Sequence, residues 1–420
     1  MSDSLRILID TEHAAIVGGA ETYLRAVLPQ LVAAGHELAV VTARPADGPS
    51  SIVAQIPGLR CWTREGNSPD TLLAEIADWR PDVVYSHGAG DPAWEAALAG
   101  RFPTVLYAHN YHGACVSGTK RFARPRVQTC CRTLGPGCLA LYLPRGCGGR
   151  SPATMLRSYA VQRRRQANLT RFRAVLVASA AMQEEYARHG VPADRLRLVP
   201  LFPPDAVPDP APPAPRDRSD RVLFVGRVTE LKGLSHLIPA LATASAELGR
   251  RLSLTVAGDG PALAEAEDLA RQTGVPAEFP GWVDADRRQA AMRSADLLAV
   301  PSLWPEPFGL VGVEAGCVGL PAVGYATGGI PDWLIPGVSG ESAPGDRPNP
   351  AALAAALVRA LADDAHFNRL RVGAWETARR FGADAHVRQL VAVLRDAAAP
   401  STRPNNALKL EWNGFGGRCR

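Results

Sequence analysis

Short runs of β-branched and aliphatic residues, each ended by glycine, proline or a polar turn and followed by a helix-like stretch, recur along this chain. In the first half they fall at 5–9, 37–42, 82–86, 103–108, 173–179 and 196–200. In the second they fall at 221–227, 252–257, 278–283, 295–302 and 320–325. Strands that alternate with helices are joined by crossovers, and crossovers build parallel sheets with helices on both faces. Ligands bind such sheets beyond the carboxyl ends of the strands.

One sheet does not account for 420 residues, because single cores stop growing near ~250–300 residues. The division is written in residues 203–215, which hold seven prolines in thirteen positions. Such a stretch cannot pack as regular structure and acts as a semi-rigid connector. The expected organisation is therefore a first domain over 1–202, a linker over 203–220 and a second domain over 221–396. Residues 397–420 lack periodicity and are expected to be disordered. No apolar run reaches ~18 residues and no basic-then-apolar leader opens the chain, so it reads as cytoplasmic.

Chemistry concentrates between residues 304 and 314, where a strand ended by Pro301 passes through a loop into a helix. The backbone N–H groups of Phe308, Gly309 and Leu310 would point from a helix N-terminus, a site that attracts phosphate. Glu306 and Glu314 flank it with seven residues between them. Glu306 is placed to reach a polyol beside that phosphate and Glu314, about two turns on, a ribose; a helix-capping acid and a solvated surface acid are the alternatives. Gly18 and Gly19 open an earlier helix and allow close backbone approach by phosphate or sugar, or simply make the turn. Gly226 and Arg227 end the first strand of the second domain and Lys232 follows. A guanidinium and an ammonium so placed can neutralise a leaving diphosphate without a metal ion. Gly258 turns the next strand into a helix, and the backbone around Trp282 ends the one after, in position to hold a nucleobase.

The E-x7-E spacing, with Pro-Phe-Gly after Glu306 and Glu-Ala-Gly at Glu314, resembles the signature of the family 4 retaining glycosyltransferases, also called group 1 glycosyl transferases. Gly18-Gly19-Ala20-Glu21, Val225-Gly226-Arg227 with Lys232-Gly233, Ala257-Gly258-Asp259-Gly260-Pro261 and Gly328-Gly329-Ile330-Pro331-Asp332 occur in that family's order. The resemblance covers roughly residues 5–395. It implies the GT-B fold, two Rossmann-like domains facing a cleft, with the first on the acceptor side, the second holding the nucleotide sugar and the last helix returning to the first domain. It further implies metal-independent transfer of a sugar from a nucleoside diphosphate to an acceptor hydroxyl with retention. Glu306, His109, Arg227 and Lys232 are the catalytic candidates on this resemblance, with His109 and Asn110 at a strand end beside the donor sugar. The acceptor stays open among a lipid-linked glycan, a polysaccharide and a small molecule. A nucleotide-sugar epimerase on the same fold, or a non-catalytic sugar-nucleotide-binding partner, is the alternative.

Residues 113–173 depart from the family pattern. Cys115, Cys130, Cys138 and Cys147 lie there among glycines, prolines and arginines, a loop composition in which four thiolates are expected around a structural zinc; a reversible disulfide, an iron–sulfur cluster or incidental thiols fit as well. Between Cys115 and Arg173 stand thirteen Lys or Arg residues and no Asp or Glu. Residues 120–173 thus offer a basic face to anionic lipid headgroups at the inner membrane surface, unless acids elsewhere in space balance it. No nucleic-acid fold signature accompanies the charge.

Overall fold

The computed structural model describes residues 4–16, 18–44, 51–54, 56, 58–88 and 90–400. The first half runs β1 (Arg6–Thr11), α1 (Gly19–Ala33), β2 (Glu37–Thr42), β3 (Arg60–Thr63), α2 (Pro69–Trp79), β4 (Val83–Ser86), α3 (Pro92–Arg101) and β5 (Thr104–Ala108). An insertion follows, with a hairpin of β6 (Arg121–Phe122) and β7 (Gln128–Thr129) and helices α4 (Gly137–Tyr142) and α5 (Pro152–Asn168). The half closes with β8 (Ala174–Val177), α6 (Ala180–Arg188) and β9 (Leu196–Leu198). Its seven-stranded sheet has the order β3-β2-β1-β4-β5-β8-β9, and every neighbouring pair is parallel.

The second half runs β10 (Arg221–Val225), α7 (Leu234–Leu248), β11 (Ser253–Ala257), α8 (Leu263–Thr273), β12 (Ala277–Gly281), α9 (Ala285–Ser294), β13 (Leu297–Val300), α10 (Leu310–Cys317), β14 (Ala322–Ala326) and β15 (Gly340–Pro344). Helices α11 (Pro350–Leu361), α12 (Asp364–Ala378) and α13 (Ala383–Ala398) end it. The sheet order is β12-β11-β10-β13-β14-β15, again all parallel. Two doubly wound parallel sheets are thus the fold. Central strands are apolar on both faces because helices cover both: Ile7, Leu8 and Ile9 in β1 are buried, as are Leu297 and Leu298 in β13.

Helix α13 crosses back to the first domain. Tyr23 Oη lies 2.7 Å from both Tyr85 Oη and His386 Nε2, and His386 Nδ1 lies 2.7 Å from the Pro200 carbonyl. The helix ends at Ala398, two residues beyond the expected boundary. The expected disordered tail otherwise lies, from residue 401, outside the described residues. Among these, no helix is long and apolar enough to cross a membrane.

The insertion is more than a loop. Val116, Leu134 and Tyr142 form a small apolar cluster joined by Cys138, Cys147, Met155 and Tyr159. The buried Lys120 ammonium pairs with Glu185 of α6 at 2.6 Å, and the Leu134 N–H donates to His189 Nε2 at 2.9 Å, so the cluster is keyed to the first domain. The zinc expectation needs correction: among the described residues no group of three or more His, Cys, Asp or Glu is disposed to hold a metal ion. Three of the four sulfurs of Cys115, Cys130, Cys138 and Cys147 face separate partners, Cys115 toward Ser117 Oγ, Cys138 toward the Thr133 carbonyl and Cys147 toward the Leu141 carbonyl. Burial, reinforced by the other three thiols, pushes the Cys147 thiol up to about 12, so it stays protonated.

Proline keeps residues 203–215 from forming elements, yet the segment is fastened to the second domain. Asp209 N–H donates to the Cys317 carbonyl at 2.8 Å, and its carboxylate pairs with Arg293 at 2.6 Å. Nearer β10, the buried Asp296 carboxylate accepts the Ser219 N–H at 2.6 Å and the Arg221 N–H at 3.2 Å, and pairs with Arg216 at 3.1 Å. Asp296→Ala strands those donors and is expected to lower unfolding stability by about 3 kcal/mol, the scale of breaking a buried pair. Urea denaturation of the purified variant against the parent reads the loss.

Candidate functional site

Four loops at the carboxyl ends of β10, β11, β13 and β14 lock together, and their glycines explain how. A Cβ at Gly233 would stand 1.9 Å from the Pro301 carbonyl oxygen, one at Gly258 1.9 Å from that of Gly226, and one at Gly328 2.2 Å from that of Glu306. Backbone can approach backbone this closely only without a side chain. Leu303 N–H donates to the Leu231 carbonyl at 2.7 Å and Gly329 N–H to the Glu306 carbonyl at 2.7 Å, joining the loops in pairs.

At their centre Glu306, 5% exposed, directs one carboxylate oxygen to three donors. Oε1 receives Lys232 Nζ at 2.6 Å, Ser302 Oγ at 2.6 Å and Trp304 Nε1 at 3.1 Å. Its other oxygen, Oε2, makes no hydrogen bond or ion pair among the described residues. Charge-assisted bonds of this kind are strong, and a buried carboxylate requires them. Helix α10 starts beside it, held by Trp333, whose indole N–H donates to the Phe308 carbonyl at 2.7 Å. The Phe308 side chain is core, against Phe381 at 5.4 Å between ring centroids, which leaves its backbone as the part able to meet a ligand. Gly309, at φ 80°, makes the turn into α10, where Leu310 is the first helical residue.

Glu314 lies one face along α10 and is paired across 3.8 Å with Arg288 of α9, which also reaches Asp205 of the linker at 3.2 Å. Burial raises the Glu314 carboxyl above its usual range and Arg288 opposes that rise. Arg227 is exposed and without a partner among the described residues. Trp282, 78% exposed, stands just past the end of β12.

The first domain contributes the strand ends of β4 and β5. His109 Nε2 lies 2.8 Å from Nδ1 of the buried His87, and its ring stacks on Tyr107 at 4.9 Å. One of the two imidazoles must donate and the other accept, so the tautomer of His109 is coupled to that of His87. Burial lowers His109 to about 4, keeping it neutral. Asn110 turns the chain, its Oδ1 accepting the His112 N–H at 2.8 Å. Tyr111 is buried next to it; burial raises its phenol first, then the charge of Glu185 and, further down, that of Glu306, so the two sides of the cleft lie within electrostatic reach. The domains also touch directly, Asp332 Oδ2 accepting the Ala180 N–H at 2.9 Å. Gly18 and Gly19 lie exposed at the opening of α1, with empty space around Gly19.

The structure therefore brings Glu306, Lys232, Gly226, Gly258 and the start of α10 together, and sets His109 and Asn110 on the facing domain. Ser302, Trp304, Arg288 and His87 were missed. Their roles arise from loop geometry or from a neighbour distant in sequence, and no periodicity marks either. Of the thirteen basic residues in the insertion region, Lys120, Arg121 and Arg165 pair with Glu185, Glu230 and Glu95, whereas Arg157, Arg163 and Arg164 of α5 are exposed.

The family model for glycosyl transferases group 1 matches residues 209–382, and that for glycosyltransferase family 4 matches residues 17–202. A D-inositol 3-phosphate glycosyltransferase of Xylanimonas cellulosilytica is 34% identical over 247 residues, which is 54% of this chain and 57% of that relative. A 2-deoxystreptamine glucosyltransferase of Streptomyces kanamyceticus is 34% identical over 122 residues, 29% of this chain and 31% of the relative. The chain thus spans about half or less of the curated relatives it matches. Among solved structures, Anabaena Alr3699/HepE in complex with UDP and glucose superposes with a TM-score of 0.66 at 20% identity, covering 93% of this chain and 100% of that one. Sucrose-phosphate synthase from Thermosynechococcus elongatus gives 0.64 at 23% identity, covering 93% and 98%. At such identities the likeness is one of fold.

The imidazoles make the fold acid-sensitive. His109 and His112 are both lowered from 6.5 to about 4, the latter by burial and then by the charge of Arg165. An unfolded chain takes up protons between those values that the folded chain refuses, so stability falls as pH drops from 6.5 toward 4. Melting temperature followed across that range should show the decline, and His112→Gln should make it shallower.

Proposed function

Because the chain belongs to the group 1, family 4 glycosyltransferases, we propose that it moves a sugar from a nucleoside diphosphate sugar to an acceptor hydroxyl with retention of configuration. The observation that carries this reading is the Glu306 carboxylate, pinned through Oε1 by Lys232, Ser302 and Trp304 and left with Oε2 for a sugar hydroxyl. Lys232 retains further N–H donors for the diphosphate. With Arg227 and the amides opening α10, it stabilises the charge that develops on the leaving β-phosphate, and no metal ion is needed for that task. That phosphate accepts the acceptor's proton on the face it leaves. His109, its ring held by His87 and Tyr107, orients a sugar hydroxyl, with Asn110 beside it. Glu314 receives the ribose, exchanging Arg288 for it. The backbone by Trp282 and Gly258 holds the base, and Gly18 and Gly19 border the phosphate and acceptor.

The test is incubation of purified protein with UDP-, GDP-, ADP- and dTDP-sugars without acceptor, followed by thermal shift and release of nucleoside diphosphate. One donor should stabilise the protein and be slowly hydrolysed. Glu306→Ala should cut that turnover by at least ~10²-fold, the scale of losing a positioning contact at the reacting centre. Near-parental activity in the variant refutes the assignment, and interconversion of the free donor marks an epimerase instead. Acceptors then tried include D-inositol 3-phosphate, the substrate in the name of a relative. The α5 face bearing Arg157, Arg163 and Arg164, with Leu156 exposed beside them, is the proposed contact with anionic headgroups. Co-flotation with phosphatidylglycerol vesicles, lost when the three arginines become glutamine, checks it.

A further inference from the structure

We propose that Arg121, carried across the cleft by the insertion hairpin, binds a phosphate of the substrates. The inference rests on the functional reading above and adds to it a residue from outside the family pattern. The hairpin is rooted in the first domain, where Lys120 is held by Glu185 and by the Arg132 carbonyl, each at 2.6 Å. Ala123 and Arg124 N–H groups both donate to the Arg145 carbonyl, at 2.9 and 3.1 Å. From that root it reaches the second domain at three points. Val127 packs on the second domain's apolar core. Thr129 donates its N–H to the Asp346 carbonyl at 3.3 Å and its hydroxyl to that of Gly345 at 3.4 Å. Arg121 Nη2 lies 3.2 Å from Glu230 Oε1.

Those landing points border the candidate site. Glu230 shares a single 3-10 turn with Lys232. Gly345 packs against Ala326 and Thr327, at the start of the loop that grips Glu306. The ion pair itself is lopsided. Arg121 has a side chain 9% exposed, whereas that of Glu230 is 68% exposed. Buried Nη1 of Arg121 has no hydrogen-bond partner among the described residues. A desolvated guanidinium needs an anion with more than one acceptor, and an exposed carboxylate that reaches one nitrogen contributes little. Phosphate suits this guanidinium, since its oxygens can take Nη1 and Nη2 together. Glu230 then occupies the place of that anion until substrate arrives and swings into solvent when it does. The phosphate belongs either to the donor's diphosphate or to a phosphorylated acceptor; the chemistry at Arg121 is the same.

Isothermal titration of the full chain separates these sources. In the donor arm, the tightest of UDP, GDP, ADP and dTDP is titrated alone. In the acceptor arm, inorganic phosphate is titrated with that nucleotide saturating, or without nucleotide if none binds. In the arm that engages Arg121, Arg121→Gln should weaken binding at least ~10-fold, the loss of a charge-assisted contact. Arg121→Lys should recover part of it. Glu230→Gln, which removes the competing carboxylate, should tighten binding in the same arm by ~3-fold or more. Opposite responses in one arm support the proposal. Responses of the same sign, or none in both arms, overturn it and leave the pair as a strap between domains. Glu230→Gln lies at an exposed position and decides the question alone if Arg121→Gln fails to fold. Failure of every nucleotide to bind the parent chain refutes the functional reading, while the phosphate arm still decides this one.

Discussion

A buried carboxylate oxygen, Glu306 Oε1, imposes the arrangement on which the second domain's cleft depends. A charge out of water must be met by donors, and here they come from the turn after β10, through Lys232, and from the loop after β13, through Ser302 and Trp304. Those two stretches converge only because Gly233 lets its backbone meet that of Pro301, while Gly258 and Gly328 do the same for the loops after β11 and β14. The backbone of Glu306 is bound in turn by Gly329 of the next loop. Lys232 and the start of α10 are thereby set beside one another before any ligand enters, which is the preorganisation that electrostatic catalysis requires.

Much of this was legible in the residues. Periodicity gave the two parallel sheets, because central strands covered on both faces are continuous apolar runs. It missed β3, a four-residue edge strand whose first two residues are exposed, and β15, which spans Gly340 to Pro344 and so looks like a turn. Glu306, Lys232, Gly226 and Gly258 were readable through ordered short motifs, each a glycine or charge at a strand end. Ser302 and Trp304 stood inside the same stretch, but nothing in loop spacing says which side chains fold inward. His87 and Arg288 were unreadable in a different sense. Their meaning is a contact with His109 across 22 positions and with Glu314 across a helix pair. The cysteines misled because composition counts thiols without saying where they point.

The insertion between β5 and β8 shows how a chain modifies a shared architecture without touching its sheets. Its small apolar cluster and the Lys120–Glu185 pair fasten it to one domain, and its hairpin lands on the other. Relative movement of the two domains must therefore stretch or carry this bridge, in addition to the contact of Asp332 with Ala180. Its basic character divides accordingly: inward cations are met by acids on other elements, and the outer face of α5 keeps its arginines in solvent.

Helix α13 carries a consequence for how the protein is made. His386 completes a hydrogen-bonded chain with Tyr23, Tyr85 and Pro200, and these partners are all translated long before it. During synthesis the first sheet thus emerges with a polar pair of tyrosines awaiting a histidine that lies 363 positions after Tyr23. Domains emerging at ~5–20 residues per second spend many seconds in that open state.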